Sequence, residues 1–120
     1  MPTHREEIQQ LAAEFEACQG TLQALGDANR QHLMLEMLRM GQCGGVRVGQ
    51  ITKKTHLSRP AVSHHIQILK NAGLLKGRRE GTKNYYYFDA DMEAMNRLIH
   101  MLQHAQNIME HLPDRSGSDD

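Results

Sequence analysis

The stretch LSRPAVSHHIQILKNAGLL, residues 57–75, predicts a helix that begins at a polar cap and ends at a glycine. Ser58 is a residue type that helix N-termini prefer, Pro60 stands where the first turn needs no N–H donor, and Gly73 occupies the usual position after a helix end. At about 100° per residue, one face is purely apolar. It carries Val62, Ile66 and Leu69. We therefore expect this face to pack on the core.

The opposite face of the same helix is polar. His64 lies on it, whereas His65 lies at the edge of the apolar face, because adjacent helical residues point in different directions. The two histidines therefore cannot share one metal ion, and we expect His65 to be a hydrogen-bonded structural residue. Outward side chains that donate and accept hydrogen bonds can read base edges in a DNA major groove. The candidates are Arg59, Ser63, His64 and Gln67.

Positive charge is concentrated around this helix. The 120-residue chain has no formal net charge, with 14 basic and 14 acidic residues. Residues 47–83 nevertheless contain nine basic residues and one acid, Glu80, which gives this segment a net charge of +8 and the rest of the chain −8. Such asymmetry is typical of a nucleic-acid-binding face, and an ordinary solvated surface is the alternative.

Apolar periodicity predicts further helices on both sides. A first helix is expected over residues 4–25, a second one begins at the cap Asp27, and a short third one follows the glycine-rich break GQCGG. After the decisive helix, LLKGRRE, GTK and NYYYF predict a two-stranded hairpin, and a last helix spans residues 89–112. A short helix, a brief turn and a capped helix form a helix-turn-helix, which a following basic hairpin makes winged.

The predicted fold class is therefore mainly α with a small β-hairpin, in the order helix, helix, helix, helix, hairpin, helix. One winged helix-turn-helix domain is expected over residues 1–112, with residues 48–88 as its DNA-binding core. The first and last helices are assigned to dimerisation. The polar tail, residues 113–120, is expected to be disordered.

Three segments in series resemble the ArsR/SmtB family of winged-helix repressors: LGDANRQHLMLEML, SRPAVSHHIQILKNAGLL and GRREGTKNYYYF. The similarity runs from about Leu22 to Leu112. It implies a homodimer, operator binding by the fourth helix, wing contacts to the DNA backbone or minor groove, and release by an effector. Carried over position by position, the implied DNA contacts are Arg59, Pro60, Ser63 and His64 on the helix, and Arg78, Arg79 and Lys83 on the wing.

The metal sites that this resemblance implies are not intact in this sequence. At the start of the third helix, Arg47 and Gly49 replace a pair of thiolate ligands. The last-helix site is degraded, and its fourth position holds an asparagine, a poor zinc ligand. Its four positions are Asp91, Glu93, His104 and Asn107. We therefore predict no metal site and no cofactor.

The last helix also has two faces of its own. An apolar face is predicted at Ala94, Leu98, Met101, Leu102, Ala105, Met109 and Leu112. A polar stripe carries Glu93, His100, His104 and His111. His100 and His104 have the i, i+4 spacing that can chelate a metal ion, but a solvated polar face is the favoured interpretation.

The two cysteines suggest another sensing chemistry. Thiol sensing needs a partly exposed thiol. Cys18 lies on the apolar stripe of the first helix, where a free cysteine often serves as a small hydrophobic residue. Cys43 lies among glycines and is expected to be more accessible. If an inducer acts through side-chain chemistry, we expect Cys43 to be its target.

Several function classes are disfavoured. No nucleophile, base and orienting group can be assembled, and no phosphate-binding loop is present, so we do not expect an enzyme. No apolar run approaches the ~20 residues of a membrane span, and the start MPTHREEIQQ is unlike a secretory signal, so a cytoplasmic protein is expected. We predict a DNA-binding repressor that binds an inverted-repeat operator as a homodimer and responds to an unidentified effector. The alternative is a winged helix that contacts only proteins.

Overall fold

The computed structural model describes residues 3–42, 44–88 and 92–112. Cys43, Asp91 and residues 113–120 lie outside the described residues, so the expectations about them stay predictions. The elements are α1 His4–Ala17, α2 Gln19–Leu25, α3 Ala28–Met40, α4 Val48–Lys54, α5 Arg59–Asn71, β1 Lys76–Glu80, β2 Lys83–Tyr87 and α6 Met92–Glu110. This order confirms the predicted mainly helical fold with one hairpin.

The prediction of one continuous first helix is wrong, because the chain divides into α1 and α2 at Cys18. The Cys18 N–H contacts the carbonyls of both Glu14 and Phe15, at 3.2 and 3.0 Å, which tightens the last turn of α1. The Cys18 side chain is buried against Leu98 and Met101 of α6. Cys18 is therefore a small core residue, as expected, and it is buried at the point where α1 ends and α2 begins.

The main core lies beneath α5. Its three predicted core residues, Val62, Ile66 and Leu69, are at most 2% exposed. They belong to one cluster with Leu33 of α3 and Ile51 of α4. Each such aliphatic side chain contributes roughly 1.5–3 kcal/mol on burial. The packing therefore fixes which face of α5 can point outward.

Both ends of α5 follow the predicted capping chemistry. The Ser58 hydroxyl accepts a hydrogen bond from the Ala61 N–H at 3.3 Å, and Pro60 lies in the first turn. At the other end Gly73 adopts φ 78°, which a residue with a side chain rarely does. The Leu74 N–H returns to the Leu69 carbonyl at 2.9 Å. The helix is therefore closed at both ends by local interactions.

The hairpin is a tight antiparallel wing. Glu80 pairs with Lys83 next to the turn, and Gly81 supplies the positive φ of 63° that the first central position of a type II′ turn needs. At the base, Val46 and Tyr86 exchange two backbone hydrogen bonds of 2.8 Å. This bridge ties the wing to the segment that leads into α4.

Helix α6 packs along α1, but its predicted apolar face is only partly buried. Ala94, Leu98 and Met101 are buried. Leu102 and Met109 are instead 54% and 67% exposed. None of the helices in the described ranges has the length and apolar character needed to cross a membrane.

Candidate nucleic-acid interface

The outward face of α5 is a row of exposed side chains. The five predicted residues are all exposed, namely Arg59, Pro60, Ser63, His64 and Gln67. The Gln67 amide donates to the Asn71 side-chain oxygen at 2.9 Å, which leaves the Gln67 carbonyl oxygen available as an acceptor. Because the other side of α5 is buried in the core, the packing holds this polar row in a fixed orientation on the surface of the domain.

His65 has the structural role that its position predicted. Its Nδ1 lies 3.3 Å from Nη1 of Arg30. Arginine can only donate, so Nδ1 must be an unprotonated acceptor. Burial lowers the pKa of His65, the Asp27 carboxylate opposes this shift, and the Arg30 charge adds to it, so that the pKa lies below its ordinary value.

Arg30 is a buried arginine that sequence reasoning did not single out. It is 8% exposed. Its Nε donates to the Ala24 carbonyl at 2.8 Å and its Nη2 to the Gln23 carbonyl at 2.9 Å. Together with the contact to His65, these bonds connect the end of α2 to α5. Arg30 is therefore a positioning residue for the outward face.

The basic residues of the wing differ in how freely they can reach a partner. The Arg78 guanidinium donates to Glu80 at 3.1 Å and to the Gly44 carbonyl at 2.9 Å, and it lies 5.1 Å from the centre of the Tyr85 ring. The Arg79 Nε donates to the carbonyl of Gly81 in the turn at 2.9 Å. Lys83 is exposed. Arg78 thus helps to hold the wing, while Lys83 projects from it.

A cleft of about 430 Å³ separates α4 from the wing. Three basic residues line it, namely Arg47, Lys53 and Arg59, and the wing contributes the polar residues Thr82 and Asn84. Gly49 forms part of its wall, and a Cβ at this position would lie 3.5 Å from Nη1 of Arg59. Sequence reasoning counted Arg47 and Lys53 in the basic segment, but it did not name them or Asn84 as individual DNA contacts.

The predicted solvated stripe on α6 is wrong for His104, which is 17% exposed in its side chain. Its Nδ1 lies 2.7 Å from one Glu14 oxygen, and Nε2 of His100 lies 3.1 Å from the other. Burial raises the pKa of Glu14, but the hydrogen bonds and charges of both histidines outweigh this, and the pKa is lowered. The stripe therefore helps to join α6 to α1.

Two of the described residues of the degraded metal site, Glu93 and His104, are engaged by other side chains. Glu93 pairs with Arg97 at 3.1 Å, whereas His104 pairs with Glu14. Within the part of the chain that the structure describes, no three metal-ligating side chains are placed to hold an ion.

The chain is similar in sequence to a known protein family and to individual transcriptional regulators. The family described as "Bacterial regulatory protein, arsR family" matches residues 32–76. An uncharacterised HTH-type transcriptional regulator of Methanocaldococcus jannaschii is 38% identical over 77 residues, which are 64% of this chain and 83% of that protein. A transcriptional repressor SmtB homologue of Synechocystis is 32% identical over 109 residues, which are 86% of this chain and 79% of that protein.

A solved structure supports the fold independently. The crystal structure of an ArsR family transcriptional regulator superposes with a TM-score of 0.63, at 19% identity, over 94% of this chain and 100% of the other. At this identity the likeness establishes the fold alone, which is the helix order and hairpin described above.

Proposed function

This chain belongs to the arsR family of bacterial regulatory proteins, and from this premise we propose that it represses transcription as a homodimer bound to an inverted-repeat operator. It is a transcriptional regulator with a winged helix-turn-helix, and the family membership places it outside the enzymes. Because such a regulator acts on chromosomal DNA, the proposal also assigns it to the cytoplasm.

The observation that carries the proposal is the outward face of α5. Three neighbouring polar side chains on it, Ser63, His64 and Gln67, are exposed. They can donate and accept hydrogen bonds at base edges, and a good base contact discriminates by about 1–3 kcal/mol. Pro60 lies on the same face and offers only apolar contact. We assign these residues to the DNA major groove.

The exposed apolar residues of the outer helices support the dimer. On α6, Ile99, Leu102 and Met109 are 43%, 54% and 67% exposed, and they line one groove. On α1, Ile8 and Phe15 are 42% and 51% exposed. Large exposed apolar patches commonly mark protein–protein contacts. A two-fold axis through this surface would present two copies of α5 to successive major grooves, about 34 Å apart.

The wing completes the interface. Lys83 and Arg79 are exposed at its end, and the segment 47–83 carries the net charge of +8. Such charge supports binding to the DNA backbone without sequence preference. The effector that releases the protein stays unidentified.

The test compares two adjacent histidines. On DNA from beside its own gene, His64→Ala should weaken binding by about 1–3 kcal/mol and reduce the preference over random DNA. His65→Gln, which retains an acceptor for Arg30, should keep that preference. Fluorescence anisotropy with labelled duplexes measures both. An unchanged preference in His64→Ala would contradict the assignment of the outward face, and a folded wild type that prefers an acidic protein partner to any DNA would favour the protein-binding alternative.

A further inference from the structure

We propose that the cleft between α4 and the wing binds one phosphate of the DNA backbone, and that Arg59 holds this phosphate instead of reading a base. The inference rests on the proposed function and goes beyond it, because it adds a phosphate site formed by Arg47 and Lys53 and changes the role of Arg59. Among the described residues, some exposed basic side chains are paired with carboxylates, whereas those of the cleft are not.

Several exposed arginines of the chain are paired with a neighbouring carboxylate. Arg39 pairs with Glu36 at 2.8 Å, and Arg97 pairs with Glu93 at 3.1 Å. The three basic residues of the cleft have no such partner among the carboxylates of residues 3–42, 44–88 and 92–112. No acidic residue lines the cleft either. Three positive charges therefore face one cleft without compensation, which favours an anion.

These charges come from separate parts of the chain. Arg47 immediately precedes α4, Lys53 lies in its last turn, and Arg59 is the first residue of α5. The Val46–Tyr86 bridge brings the wing against them, so that Asn84 and Thr82 can add an amide and a hydroxyl. Charged and neutral donors arranged around one space suit a phosphate, which has several acceptor oxygens.

Gly49 explains why Arg59 belongs to this cleft. No side chain stands between α4 and the guanidinium, whose Nη1 lies 3.5 Å from where a Cβ at Gly49 would be. Arg59 thus lines the cleft wall, whereas Ser63, His64 and Gln67 continue the outward face of α5. Phosphate contacts fix the register of a protein on DNA and carry no direct sequence information. The same side chain would therefore position α5 while its neighbours read bases.

The source of the phosphate follows from the position of the cleft. It is lined by residues of α4, by residues of the wing and by Arg59, the first residue of α5, whose outward face is assigned to the major groove. A free phosphate-containing ligand would have the same chemistry, so the experiment must separate the two sources.

The experiment uses two adjacent exposed lysines on α4. Lys53 lines the cleft, and Lys54 does not. Lys53→Ala, Arg59→Ala and the control Lys54→Ala are titrated against the promoter duplex and against a random duplex of about 30 base pairs, which spans two half-sites. Titrations at several KCl concentrations give the salt dependence. Isothermal titration of the DNA-free protein with inorganic phosphate tests the free-anion source.

We expect Lys53→Ala and Arg59→Ala each to weaken both duplexes by about tenfold and to lower the salt slope by up to about one. Lys54→Ala should change affinity less than about twofold, the scale of an exposed charge. A Lys53→Ala loss equal to that of Lys54→Ala would overturn the cleft as a distinct site. A loss of preference in Arg59→Ala without a change in salt slope would return Arg59 to base reading. Tight binding of inorganic phosphate without DNA would assign the cleft to a free anion and overturn the proposal.

These outcomes are distinguishable from failure of the proposed function. If the wild type binds neither duplex, the proposed function fails and the phosphate site fails with it. If the wild type binds DNA and Lys53→Ala binds equally well, only the phosphate site is wrong.

Discussion

At the scale of single residues, His64 and His65 show how much helical spacing can predict. Their order on α5 placed one at the surface and the other at the core edge, and the structure confirms both positions. The partner of His65 was not predictable, because Arg30 is 35 positions away and reaches it only through packing of α3 against α5. A side chain's direction is local, whereas its partner depends on the tertiary fold.

The lowered pKa of His65 predicts a dependence of stability on pH. Above pH 6.5, the ordinary value, the ring is neutral in both the folded and the unfolded chain, so the contribution of His65 is fully present. As the pH falls below this value, the unfolded chain takes up the proton first, and stability is lost. Urea unfolding at pH 7.5 and pH 5 should therefore show a smaller decrease in unfolding free energy for His65→Gln than for wild type.

The neighbouring histidine is the matched control for this measurement. His64→Gln should retain the wild-type decrease, because His64 is exposed. An identical decrease in wild type and His65→Gln would show that other groups cause it. Glu14 and Asp27, whose pKa values are lowered, also lose their contributions as the pH falls, but at more acidic values.

At the scale of secondary-structure elements, the sequence predicted which helices and strands exist better than it predicted where each one begins and ends. The two ends of α5 were predictable because Ser58 and Gly73 act through local backbone geometry. The break between α1 and α2 was not predictable, since position 18 holds a cysteine instead of a helix-breaking glycine or proline. The burial of Cys18 against α6 is a tertiary effect. For the same reason the apolar face of α6 could not be divided from sequence into a buried half and an exposed half.

The exposed half of α6 gives the prediction for this scale. Leu102→Asp would place two related carboxylates in the proposed dimer contact, where burying unpaired charges is costly. We expect dimer affinity to fall by at least ~100-fold, since an uncompensated buried charge typically costs about 3–5 kcal/mol. Light scattering at micromolar concentration should then report a monomer.

Asn96→Asp provides the control on the same helix. Asn96 is exposed and does not line the groove that contains Leu102, so this variant should keep the wild-type mass. A wild type that is already monomeric without DNA, or a Leu102→Asp variant that stays dimeric, would contradict the assignment of this face.

At the scale of the whole molecule, charge and topology together form the basic cleft. The +8 segment could be counted from the sequence, but its cleft could not, because Arg47 and Asn84 meet only when Val46 pairs with Tyr86. Arg78 remains a predicted DNA contact, and the fold also engages its guanidinium with Gly44 and Tyr85, which the sequence could not show. Linear charge therefore supports the proposed kind of partner, and the fold determines which side chains are free to contact it.

We propose above all that this molecule distinguishes one DNA sequence from others. The most direct test is a competition titration in which the wild-type protein is bound to the promoter DNA beside its own gene and displaced by random DNA at a stated salt concentration. We expect a preference of about 10³ or more for the promoter duplex. Equal displacement by both duplexes would contradict it, because a surface that acts only through its charge binds every sequence alike.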